Sequence, residues 1–194
     1  TMAWATGVAM GLAVLVGVYL VWVAGWPIIV IGLSGVLAGI FYTAGSKPLG
    51  YLGLGEVLVF LFFGIAAVGG SYYIQTARIT LPVLLVAGSV GLLASAILVV
   101  NNLRDRHTDA RVGKRTLAVR LGERATRLEY LGLIVVAYVP PLYYAHATDT
   151  MGALLVLASV PLAILLWKRF KRADGDALNP LLGKTAQLET LFGL

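Results

Sequence analysis

The chain has 194 residues, 59% of them hydrophobic and only 12% charged, with a net charge of +6. An ordinary soluble domain carries about 25% charged residues, so the composition argues against a water-soluble globule, a disordered chain and a collagen-like fibre. There is no cysteine, which removes disulfides, thiolate-bound zinc, iron–sulfur clusters and cysteine nucleophiles.

Charge is missing over long windows. Residues 1–46 carry none, and further gaps run over residues 57–77, 79–103, 130–148 and 150–167. A helix crosses the hydrocarbon core of a bilayer with roughly 20 mostly apolar residues. The first window holds two crossings, divided at Gly25-Trp26-Pro27, where a turn and a proline end one helix and start the next. The pattern predicts six helices over about residues 4–23, 27–42, 57–74, 81–100, 128–145 and 151–167, with a seventh beginning near Ala186. The expected fold class is all-α, a multi-pass transmembrane helical bundle forming a single domain over residues 1–194. Thr1 lies beside an apolar run with no signal-peptide n-region or cleavage site. The chain closes on Leu191-Phe192-Gly193-Leu194, so a domain incomplete at both ends is expected.

Loop charges set the expected orientation. Between Asn101 and Arg127 eight basic residues stand against three acidic ones, and over Lys168–Lys184 five stand against two. Two helices separate these loops, so both fall on one side, expected to be cytoplasmic, and the Tyr42–Glu56 loop with Lys47 joins them. The expected setting is a bacterial inner membrane. Trp4, Trp22, Trp26 and Trp167, with Tyr72, Tyr73, Tyr143 and Tyr144, fall near helix ends and read as interfacial anchors. Glycines within the spans, such as Gly64, read as close helix contacts.

The structured polar island is Asn101-Asn102-Leu103-Arg104-Asp105-Arg106-His107-Thr108-Asp109, followed by Gly113-Lys114-Arg115-Thr116. It continues an apolar span, so the helix is expected to run on past the bilayer core. Asn101, Asp105 and Asp109 are spaced four apart and share a helix face, with Asn102 three before Asp105. Two carboxylates and an amide oxygen make a hard-oxygen stripe suited to Mg²⁺, which takes one or two carboxylates plus substrate phosphate oxygens. Lys114 and Arg115 follow a glycine and can reach a diphosphate on that metal. An Arg-rich juxtamembrane loop is also what a positive-inside signal or a contact with anionic head groups looks like. His107 points elsewhere and reads as solvated, and Ser/His/Asp catalysis has no support. Glu56 reads as structural, at a helix start where an acid suits the macrodipole.

These residues carry a resemblance. Asn101-Asn102-x-Arg104-Asp105-x-x-x-Asp109, then Gly113-Lys114-Arg115-Thr116-Leu117-Ala118-Val119-Arg120-Leu121-Gly122, resembles the second aspartate-rich motif of UbiA-type membrane prenyltransferases. Pro48-Leu49-Gly50-Tyr51-x-Gly53-Leu54-Gly55-Glu56, Phe60-x-Phe62-Phe63-Gly64 and Tyr72-Tyr73-x-Gln75 resemble the branch that prenylates 1,4-dihydroxy-2-naphthoate in menaquinone and phylloquinone synthesis. The resemblance implies a helical bundle around a central cavity, in which two facing acidic motifs hold Mg²⁺ on a prenyl diphosphate. Only the second motif is present, and no Asn-Asp-x-x-Asp pattern occurs before Tyr42. The first motif and its helices are therefore expected upstream of Thr1.

The function so implied is transfer of a polyprenyl group from a prenyl diphosphate to an aromatic ring, with loss of CO2, in quinone biosynthesis. Asp105 and Asp109 are expected to bind the metal with Asn101 or Asn102 in support, and Lys114, Arg115 and more weakly Lys47 to bind the diphosphate. Membrane lipids are expected partners, and nucleic acid is not. Three alternatives stay open: another acceptor (4-hydroxybenzoate, homogentisate or a porphyrin such as haem), a transporter or lipid-binding protein, and a non-catalytic fragment. A transporter should show ionisable groups near the membrane midplane, and the charge-free windows argue against it.

Overall fold

The computed structural model of the chain describes residues 2–45 and 48–194. Eight helices follow in order: α1 Met2–Ala24, α2 Trp26–Thr43, α3 Gly55–Thr76, α4 Leu81–Arg104, α5 Arg106–Arg111, α6 Leu117–Thr148, α7 Met151–Phe170 and α8 Asn179–Gly193. There is no strand among the described residues. Six of these helices (α1, α2, α3, α4, α6 and α7) are long and apolar enough to cross a membrane.

Proline opens several of them. It occupies the first positions of α2, α4 and α8, where its missing N–H has no partner to lose. Gly25 (φ +78) makes the turn between α1 and α2 in a conformation that favours glycine. Within α3, residues Phe60–Gly69 wind as a π-helix between two α-helical ends. Gly64 sits in that segment against Gly91 of α4. A Cβ on Gly64 would fall 2.6 Å from both the Ala87 carbonyl oxygen and the Gly91 Cα. Neither position admits a side chain, so the two backbones meet directly.

The centre of the protein is α4. Its Leu93, Val99, Val100 and Leu103 are buried, with Tyr130 and Ile134 of α6, Leu166 and Phe170 of α7, and Leu181, Leu188 and Phe192 of α8. The Tyr130 and Phe170 rings lie 4.1 Å apart, and Tyr138 meets Phe192 edge-on at 5.2 Å. Buried hydroxyls are paired: Tyr130 with Thr185 at 3.0 Å and Tyr138 with Ser159 at 2.6 Å. By contrast α1 and α2 face outward along nearly their whole length, and Ile28 is the buried residue of α2. Trp4, Trp22 and Trp26 are strongly exposed near helix ends, where interfacial anchors belong.

The all-α expectation holds, and three boundaries move. Helix α6 starts at Leu117 rather than near residue 128, because Thr116 caps it by accepting from the Val119 N–H. Arg120, Glu123, Arg124 and Arg127 hide this amphipathic first part from any search for uncharged windows. Gly122 (φ +78) breaks the helix there. Helix α8 begins at Asn179 instead of Ala186, started by Pro180. The helix carrying the polar island stops at Arg104, and Asp105 (φ −89, ψ 2) separates it from α5.

Candidate functional site

The last turn of α4 delivers Asn101 and Asn102 in opposite directions. Asn102 is buried and donates from Nδ2 to Glu56 Oε1 at 2.7 Å. Ser95, two turns earlier, donates to the Glu56 backbone carbonyl at 3.0 Å and to Gly91 at 2.8 Å. Glu56, which reads as structural at a helix start, is indeed in the first turn of α3, and it is also buried with Oε2 lacking a hydrogen bond.

Asn101 faces the other way, towards Arg104. The Arg104 guanidinium donates from Nη2 to Asn101 Oδ1 at 2.8 Å and grips Asp105 with two bonds, Nε to Oδ1 and Nη2 to Oδ2, each 2.7 Å. Its Nη1 reaches Asn179 Oδ1 at 2.9 Å, tying the start of α8 to the acidic motif. Hydrogen bonding from Arg104 holds the Asp105 carboxyl below its ordinary range against the opposing effect of partial burial, with the charges of Arg104 and Lys114 adding to it. Asp105 therefore stays ionised at neutral pH.

The helical register survives the break. The Asp105 N–H bonds to the Asn101 carbonyl at 3.0 Å, and the Asp109 N–H to the Asp105 carbonyl at 2.8 Å. Asp109 is buried in α5, its Oδ2 lies 3.1 Å from Lys114 Nζ, and that oxygen receives no aligned hydrogen bond. Gly113 (φ +75) turns the chain back, and the Lys114 N–H closes the turn on the Asp109 carbonyl at 2.9 Å. Arg115 is exposed, and its backbone N–H bonds to the Tyr51 carbonyl at 3.0 Å. This docks the loop after α5 on the Leu49–Tyr51 turn. Gly53 (φ +71) packs there too, since a Cβ would sit 3.0 Å from the Arg115 carbonyl.

The structure thus gathers Asn101, Asp105, Asp109, Lys114 and Arg115 around one end of the bundle, while Asn102 turns inward to Glu56. His107 is exposed beside Arg106. Lys47 lies outside the described residues. Two participants carried no role in the sequence reading: Arg104, whose four bonds organise the motif, and Asn179, which joins it from far along the chain. An arginine between an Asn and an Asp was a visible hint for the first, whereas nothing local marks the second.

Magnesium can be tested against these donors. Among the described residues no three His, Asp or Glu side chains converge as a metal-holding group. The ion needs only one or two carboxylates when phosphate oxygens and water complete its shell. An ionised Asp105 and a buried Asp109 oxygen without an aligned hydrogen bond fit that demand.

Apolar space lies close by. A slot of about 290 Å³ between α2 and α3 is lined by Tyr42, Leu58, Phe62 and Phe63. The Tyr42 ring packs where a Gly50 Cβ would be, 3.1 Å away, beside the turn that holds Arg115. Towards the other end of α3, Ile28, Ile31, Ala66 and Ile74 line a larger apolar cavity of about 660 Å³ that also borders α1.

Comparison with known proteins bears on this arrangement. A profile of the UbiA prenyltransferase family matches residues 1–187. A 1,4-dihydroxy-2-naphthoate octaprenyltransferase of Haemophilus influenzae is 41% identical over 166 residues, 84% of this chain and 54% of that protein. The protein of the same name from Mycobacterium tuberculosis is 42% identical over 156 residues, 80% of this chain and 53% of its own. Human UbiA prenyltransferase domain-containing protein 1 is 32% identical over 161 residues, 82% of this chain and 46% of its own. The chain spans about half the length of the curated relatives it matches. Its six apolar spans make it an integral, multi-pass membrane protein. Matched along nearly its whole length, the chain belongs to the UbiA prenyltransferase family.

Proposed function

We propose that this chain takes part in transferring a polyprenyl group from a prenyl diphosphate to an aromatic ring, with 1,4-dihydroxy-2-naphthoate as acceptor and loss of CO2, in quinone biosynthesis. The observation that carries the reading is the joining of an acid–base cluster to an apolar slot: Arg115 is bonded to the Tyr51 turn, and Tyr42 beside that turn lines the slot. A substrate with a diphosphate head and an isoprenoid tail needs that pair of surfaces. The relatives named as naphthoate octaprenyltransferases support the choice of acceptor.

In this reading Asp105 and Asp109, with the Asn101 oxygen in support, would hold Mg²⁺. When bound, the ion neutralises the diphosphate and improves it as a leaving group. Lys114 and Arg115 bind the same anion, Arg115 being exposed and free to make a two-point contact. Lys47 is placed by the sequence in a loop on the same side and is proposed as a further contact. Arg104 fixes Asp105 and Asn101 in place. The apolar walls around Phe62 and Phe63 exclude water from the allylic carbon once the C–O bond weakens. The acidic end is proposed to face the cytoplasm of a bacterial inner membrane, the side that the loop cations favour.

The test is product formation. The chain is placed in nanodiscs with Mg²⁺, labelled prenyl diphosphate and dihydroxynaphthoate, beside a longer form carrying two more helices and a further acidic motif ahead of residue 1. Prenylated, decarboxylated product from either form supports the reading. Its absence from both, with intact folding, overturns it.

A further inference from the structure

We infer that the groove between α6 and α7 is a lipid site that holds the phosphate head group and one acyl chain of an anionic glycerophospholipid. The groove has two joined parts. A mouth of about 470 Å³ is lined by Arg124, Arg127, Trp167 and Lys171, with Glu123 and Leu128. A deeper part of about 370 Å³ is lined by Leu131, Ile134, Val135, Val160 and Ile164, and ends at Tyr138. Trp167 and Lys171 border both parts, so the groove is continuous.

Charge selects the occupant. The Glu123 carboxylate is already taken by Arg127 at 2.6 Å and Arg106 at 3.3 Å. Arg127 also donates to the Ala173 carbonyl at 2.8 Å and to that of Phe170, where it closes the end of α7. Among the described residues, Arg124, Lys168 and Lys171 enter no ion pair or side-chain hydrogen bond. Three uncompensated cations around a half-buried tryptophan, at the end of two apolar helices, suit a phosphate monoanion at the level of the head groups. They repel the cationic end of a choline lipid.

Shape selects the tail. From Arg124 to Tyr138 the groove follows one face of α6 for roughly 21 Å, enough to span one leaflet, about half of the ~30 Å hydrocarbon core. The Tyr138 hydroxyl is bonded to Ser159 at 2.6 Å, so the floor is closed and asks for no polar partner. None of Asn101, Asp105, Asp109, Lys114 or Arg115 lines the groove, so the site is separate from the acidic motif and independent of the transfer reaction.

The experiment places the full chain in phosphatidylcholine nanodiscs containing a minor fraction of phosphatidylglycerol with a photoreactive group near one acyl terminus. Crosslinks are mapped by mass spectrometry and are expected in residues 134–138 and 160–164. The double variant Arg124→Gln/Lys171→Gln should lower crosslinking by about 25-fold, roughly fivefold per cation. Arg111→Gln, an exposed cation outside the groove, should leave it unchanged. Ile164→Trp fills the deeper part with the charges intact and should abolish the crosslinks, which keeps the test decisive if the double variant does not fold. Equal labelling by a phosphatidylcholine probe, or an equal loss with Arg111→Gln, overturns the proposal. So does displacement of the probe by geranyl diphosphate, or crosslinking to a second copy of the chain across the groove.

Discussion

Asn102 and Glu56 meet inside the protein, Nδ2 to Oε1 at 2.7 Å, although 46 positions separate them in sequence. This bond joins the start of α3 to the last turn of α4 and, among the described residues, is the only side-chain hydrogen bond to the Glu56 carboxyl. Removing the donor leaves the buried Glu56 carboxyl without a hydrogen-bond partner. Asn102→Ala is expected to cost about 1–3 kcal/mol, the scale of leaving a buried polar group without its partner, whereas Glu56→Gln, which keeps the accepting oxygen, should cost far less. Unfolding in detergent by denaturant checks both, and equal losses in the two variants would contradict the assignment.

The acidic motif makes a sharper demand. In a catalytically active form, Asp105→Asn or Asp109→Asn should cut turnover by about 100-fold or more, the scale of losing one electrostatic catalytic group. The readout is prenylated product at saturating substrate and Mg²⁺. Near-normal turnover in both variants removes the proposed metal role.

Acid sensitivity follows from the Arg104–Asp105 pair. The folded Asp105 pKa lies below its ordinary value because of the Arg104 hydrogen bonds. Its stabilising contribution is therefore fully present above the unfolded value of about 3.9, and is lost as pH falls through the lower folded value. The stability difference between the natural chain and Asp105→Asn should stay flat from neutral pH to about 5 and shrink only below about 4. A difference already fading near pH 6, in unfolding midpoints measured across the range, would contradict this.

Gly64 and Gly91 predict a steric loss. A Cβ on Gly64 would lie within 2.6 Å of backbone atoms, so Gly64→Ala should destabilise by about 1–3 kcal/mol through overpacking. Gly7→Ala, inside α1 with nothing within 4 Å, is the control and should be neutral to slightly stabilising. Parallel unfolding of the two variants separates close packing from a general intolerance of substitution at glycine.

The spans were readable because lipid demands long uncharged helices, and charge is easily counted. Residues 117–127 escaped that count for the same reason: Arg120, Glu123, Arg124 and Arg127 look like a loop until Thr116 is seen capping a helix. At the site, the spacing of Asn101, Asp105 and Asp109 and the nearness of Lys114 were legible, since helical register is local. The inward turn of Asn102, the Arg104 hub and the arrival of Asn179 depend on which helices pack together. No local pattern encodes that. The sequence assigns Lys114 to the diphosphate and gives Arg104 no role, whereas in the structure each acid comes with its own cation, Arg104 on Asp105 and Lys114 on Asp109.

The direct backbone contact of α3 with α4 also fixes which wall of the apolar slot can yield. At Gly64 and Gly91 there are no side chains whose rotation could let the two helices slide, so that side is a fixed jamb. The facing wall, α2, has Ile28 as its buried residue and meets α3 through Phe62 against Gly35 and Ile31 against Gly70, and the Leu49–Tyr51 turn through Tyr42 against Gly50. Any widening of the slot is therefore expected on the α2 side, while the wall formed by α3 against α4 keeps its place.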